Sequence, residues 1–159
     1  MAKTRNFLKV KYNQAKCYDA GCLFLRIGIG ILFIIHGLLI AFGGREEWQR
    51  IGSSVTHFGV EPNPILWAYL ANLAECAGGF FIAVGFMTRA ACIPLIITLI
   101  VAAATHVFNN DGWMHLSHAI EALIICIGLL VLGPGKYSAD AYLGIETPTV
   151  ANGKKDIAS

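Results

Sequence analysis

Five ionisable side chains sit inside runs of sequence that are otherwise apolar: His36, Glu75, His106, His118 and Glu121. Glu75 is the most demanding of them. It lies in ANLAECAGGFFIAVGFMTR, Ala71 to Arg89, with Asn72 one helical turn before it. A carboxyl in hydrocarbon costs several kcal/mol unless it is protonated, paired or wetted. Stepping from Asn72 by three and four residues reaches Glu75, Gly78, Gly79, Ile82 and Gly85. That is one helical face of polar and small residues, suited to close approach by a neighbouring helix. Leu73, Phe80, Phe81 and Val84 make the opposite, lipid-like face.

Three chemistries are open to such a set. Histidine and carboxylate can exchange protons with a quinol or another lipid-soluble redox carrier; Glu75, His36 and Glu121 are the candidates for that work. Alternatively His36, His106, His118 and Glu121 could ligate a transition metal, although the order His118-x-x-Glu121 reverses the Glu-x-x-His of the di-iron bundles. Histidines on facing helices could also hold a haem, but bis-histidine spacing within one span is absent. Arg26 and Arg89 fit simpler roles, Arg26 snorkelling toward headgroups and Arg89 anchoring a turn. There is no phosphate-binding glycine loop, dinucleotide fingerprint or Ser-His-Asp pattern.

The elements that must position these residues follow from composition. Hydrophobic residues make up 56% of the 159 and charged residues 14%, with a mean hydropathy of +0.62. Soluble domains carry roughly a quarter charged residues, so this is the composition of a membrane protein. No basic run interleaved with aromatics suggests nucleic acid as a partner. Cys17, Cys22, Cys76, Cys92 and Cys126 are scattered without a CxxC and read as small apolar packing residues.

The pattern predicts an all-α integral membrane four-helix bundle. A basic tail over 1–21 precedes spans at about 22–42, 65–86, 90–108 and 115–132, and a polar, disordered tail follows over 143–159. The first apolar run is too long for a cleavable signal and is read as retained. A short amphipathic helix is expected around Glu47 to Phe58. Lys and Arg concentrate on the side of the two termini, while the loop after the first span holds only Arg45 and Arg50, offset by Glu46 and Glu47. Both termini are therefore expected to be cytoplasmic. At ~1.5 Å per residue, Glu75 lies roughly 15 Å below the outer start of its span, with His36 and Glu121 roughly 9 Å deep. All four spans thus contribute to one polar zone in the outer half of the bundle.

RIGIGILFIIHG (Arg26 to Gly37), ECAGGFFIAVGFMTR (Glu75 to Arg89) and the exit LGPGKYSAD (Leu132 to Asp140) together resemble the DoxX family of small four-span membrane proteins. The resemblance covers about residues 22–142. It implies a bacterial inner-membrane protein in the neighbourhood of quinone-linked redox systems, such as a terminal quinol oxidase or thiosulfate:quinone oxidoreductase. It also implies a redox enzyme subunit as a partner beside the lipid bilayer, with self-association left open. Glu75, Arg26 and Arg89 match its motif positions, and with Asn72 the two arginines become candidates for holding a cofactor. A non-enzymatic structural or assembly subunit is the competing reading.

Overall fold

The computed structural model describes residues 14–60 and 63–146, so most of both tails lies outside the described residues. Those residues form helices and turns without a strand: α1 (Gln14–Phe42), α2 (Gly44–Gly52) with a 3₁₀ extension (Ser53–Phe58), α3 (Pro64–Val84), α4 (Thr88–Asn109), α5 (Trp113–Leu132) and the short α6 (Ala139–Tyr142). Four of them, α1, α3, α4 and α5, are long and apolar enough to cross a membrane. Their outward faces are apolar, with Phe24, Phe42, Phe80, Ile124 and Val131 largely exposed, as lipid contact requires.

Three boundaries differ from the sequence reading. Helix α1 starts by Gln14, so the basic tail expected over 1–21 is helical in its last part. The segment expected to be disordered from 143 is ordered at least to Glu146, because the Ile145 N–H donates to the Asp140 carbonyl (2.9 Å) and Glu146 pairs with Arg89. The amphipathic helix anticipated at 47–58 begins earlier, at Gly44, and its second half tightens into 3₁₀ geometry.

Packing runs in the order α1 on α3, α3 on α4, α4 on α5, with α1 and α5 touching only sparingly. Small residues set the α1–α3 crossing. A Cβ on Gly79 would stand 2.8 Å from the Gly30 carbonyl oxygen, and one on Gly30 would stand 2.6 Å from that of Gly79. The two backbones touch there, which only glycine permits. On α3 the buried residues are Ala68, Asn72, Glu75, Gly78, Gly79 and Ile82, the face the three-four spacing picked out. An apolar core of Ile29, Phe33, Ile82, Leu95, Leu99, Cys126 and Leu129 joins all four long helices. Cys22, Cys92 and Cys126 are buried and unbridged, consistent with packing roles.

The other fixed point is the α3–α4 turn. Gly85 ends α3 with φ 73°, and Met87 is left-handed as well at φ 45°. The Met87 and Thr88 N–H groups both donate to the Asp140 carboxylate, at 2.7 and 3.1 Å, so a residue from beyond α5 caps the start of α4. The Asp140 N–H donates in return to the Gly85 carbonyl (2.9 Å).

Candidate functional site

Between the long helices, on the side where α2 lies, a cavity of about 750 Å³ opens. Glu75 lines it, and its walls are mainly apolar, with Leu70, Ala74, Pro94, Ile97 and Val101 among them. Helix α2 and the 3₁₀ segment roof it through Glu47, Arg50, Ile51, Ser54 and Val55. The size falls in the ordinary range for small-molecule sites, roughly 300–1,000 Å³.

Glu75 is 9% exposed, and its Oε2 is buried without a hydrogen-bond partner among the described residues. It is held in place by its neighbours rather than by an ion pair. One turn earlier, the Asn72 amide donates to the Gly37 carbonyl of α1 (3.1 Å) and accepts from the Cys76 thiol (3.3 Å). A Cβ on Gly37 would stand 2.5 Å from the Cys76 sulfur and 3.3 Å from the Glu75 Cβ, so only glycine fits there. Asn72 therefore locks α3 to α1 at the level of the carboxyl, so the asparagine positions rather than ligates.

Around Glu75 the cavity takes in His36 from α1, His106 from α4, and His115 and His118 from α5. His106 is engaged at the rim, its Nδ1 lying 2.8 Å from Asp111 Oδ2, while His115 Nδ1 lies 3.0 Å from the Asp111 carbonyl oxygen. The Glu47–Arg50 ion pair sits on α2 at the mouth. Hydrogen bonding from Arg50 holds the Glu47 carboxyl below its ordinary range, so it stays ionised at neutral pH.

Glu121 does not join this set. It is exposed and absent from the cavity lining, because three residues turn it about 60° round α5 from His118. Among the described residues no three His, Cys, Asp or Glu side chains come together closely enough to hold a metal ion. The ligand set His36, His106, His118 and Glu121 is thus not brought together among the described residues.

The two arginines lie at the opposite end of the bundle. Arg26 does not snorkel: it is fully buried, donates from Nη2 to the Tyr137 carbonyl, and lies against Gly85, where a Cβ would meet Nη1 at 1.7 Å. Arg89 donates from Nη1 to the Leu130 carbonyl (2.9 Å) and from Nε to Glu146 (3.1 Å). Asp19 accepts from the Lys136 N–H (3.0 Å), and Tyr18 donates to the Leu132 carbonyl (2.8 Å). These contacts make a clamp that ties α1, the α3–α4 turn and the 133–146 segment together. Neither arginine reaches the cavity, so neither is placed to hold a molecule bound there.

Sequence reasoning missed the contribution of Glu47, Arg50, Trp67 and His115 to the cavity. The Glu47 to Arg50 spacing on an amphipathic segment was the available signal for the first two. A tryptophan near the end of a span fits an interfacial belt equally well, so Trp67 carries no signal of its own, and nothing in the pattern marks His115.

Comparison with known proteins agrees with this architecture. The family model described as DoxX matches residues 21–107, more than half of the chain, and takes in Arg26, His36, Asn72, Glu75, Arg89 and His106. The chain is 31% identical over 90 residues to "Putative oxidoreductase CatD" of Bacillus subtilis (strain 168); the match covers 57% of this chain and 62% of that protein's length. No solved structure matches. With four apolar helices of spanning length and a family match over most of three of them, the chain is a multi-pass membrane protein and belongs to the DoxX family.

Proposed function

We propose that the α2-side cavity is a proton-exchange site for a lipid-soluble redox carrier of the quinone class. In this reading the protein serves a membrane oxidoreductase system of the bacterial inner membrane as a subunit or accessory protein. The observation that carries the reading is Glu75: a buried carboxyl lining a mainly apolar cavity, with one oxygen unpartnered among the described residues. Quinone and quinol differ by two protons and two electrons, so a protein site acting on either must give or take protons. Glu75 and His36 are the groups within the cavity suited to that exchange. The electrons require a redox centre on a partner. The oxidoreductase name of the Bacillus subtilis relative supports the class of chemistry.

Trp67 lines the cavity and supplies a readout. Titrating the purified protein with a short-chain quinone should quench tryptophan fluorescence saturably, and Trp67→Phe should remove most of that signal. Glu75→Gln should weaken binding by about 5- to 150-fold, the effect of mispairing one buried polar group at ~1–3 kcal/mol. Unchanged affinity in a folded Glu75→Gln protein would sink the proposal.

A further inference from the structure

The polar groups are arranged asymmetrically about Glu75. On the α2 side it faces His36 of α1, Glu47 and Arg50 of α2, His106 of α4, and His115 and His118 of α5, all bordering the same cavity. On the other side, one turn along α3, Gly78 abuts Leu95, where an added Cβ would lie 3.1 Å away, and Gly79 abuts Phe33. Beyond these, Ile82, Cys126 and Leu129 are 0–1% exposed. Below that layer the Arg26–Asp140 clamp closes the bundle end. Water and protons move along polar, wetted groups; through close-packed hydrocarbon they do not.

From this we infer that the cavity is a one-sided access path. Glu75 exchanges protons with the aqueous phase at the face carrying α2, and is sealed from the face carrying the 133–146 segment. The inference builds on the proton-exchange reading of Glu75. It makes whatever reaction runs there vectorial, with protons drawn from or delivered to one compartment only. The Glu47–Arg50 pair stands at the mouth as the last charged station before bulk water.

Accessibility tests this without any quinone, so loss of the quinone reading and loss of the sidedness remain distinguishable. Glu75→Cys protein in sealed vesicles of each orientation is treated with a small impermeant trimethylammonium thiosulfonate, and modification is read residue by residue by mass spectrometry. Arg45→Cys marks the α2 face, and the native, exposed Cys17 marks the other. Cysteine at 75 should react from the face that modifies position 45 at least about tenfold faster than from the face that modifies Cys17, a barrier difference of ~1.4 kcal/mol. Ala74→Cys, a milder change in the cavity wall, should show the same preference if the variant at 75 fails to fold. Equal rates from both faces, reaction from the Cys17 face alone, or no reaction from either face would overturn the inference.

Discussion

Glu75 is defined less by what it touches than by what it lacks: one carboxylate oxygen is buried and unpaired among the described residues, while Asn72 one turn away makes two hydrogen bonds. Glu75→Gln keeps shape and most hydrogen-bonding capacity, so it should fold normally and lose quinone-dependent activity. Glu75→Ala adds a void to the same loss. If folded yield falls equally with both changes and the Gln protein retains activity, the residue is a packing element. Asn72 has a different signature. Asn72→Ala removes two hydrogen bonds between and within α1 and α3, and should lower detergent-state stability by ~1–3 kcal/mol, seen as an earlier unfolding transition. These two residues were legible in the sequence because depth and helical face are local properties. The Arg26 partner was not. Arg26 and Tyr137 are 111 positions apart, and no spacing rule relates them, so depth alone suggested snorkelling.

At the scale of elements, the glycine face of α3 and the α3–α4 turn carry the load. Gly79→Leu would drive a side chain into the backbone of α1, whereas Leu73→Ala trims a side chain that meets lipid. The first should abolish recovery of folded protein in mild detergent, and the second should change it little. Gly85→Ala faces two penalties, a left-handed backbone costing ~1–2 kcal/mol and a collision with the Arg26 guanidinium. Asp140→Ala leaves the first two N–H groups of α4 without an acceptor, and should cost ~1–2 kcal/mol through the lost cap alone, measurable by thermal unfolding in detergent. On α2 the sign of the pH effect follows from Glu47. Its carboxyl titrates below the ordinary value near ~4.3, so its contribution is intact above that pH and fades as pH falls through the lowered value. The pair is exposed enough for that contribution to be small, ~0–1 kcal/mol.

The molecule as a whole has two polar layers, a cavity toward α2 and a clamp at the other end, separated by an apolar core. From the sequence the histidines and carboxyls fall in one outer zone and Arg26 and Arg89 are left as a headgroup and a turn anchor, since hydropathy reports how deep a residue is and not which helix it faces. The four spans and the buried side of α3 could be read because the 3.6-residue period is written into each segment. The roof over the cavity could not, because α2 acquires its role only by folding back on α3. The charge asymmetry supports placing α2 outside the cytoplasm. A single cysteine introduced at Arg45 should react with an impermeant reagent on intact spheroplasts, and reaction only after lysis would reverse the orientation.

The carboxylate that caps the start of α4 comes from beyond α5. Asp140 is synthesised after α3 and α4, and so is Tyr137, whose carbonyl accepts from Arg26, so neither contact can form until the chain beyond α5 has been made. A stop codon just after Leu132 would leave all four spanning helices encoded and yet remove both contacts, and the shortened chain should be recovered folded from mild detergent in lower yield than the full one.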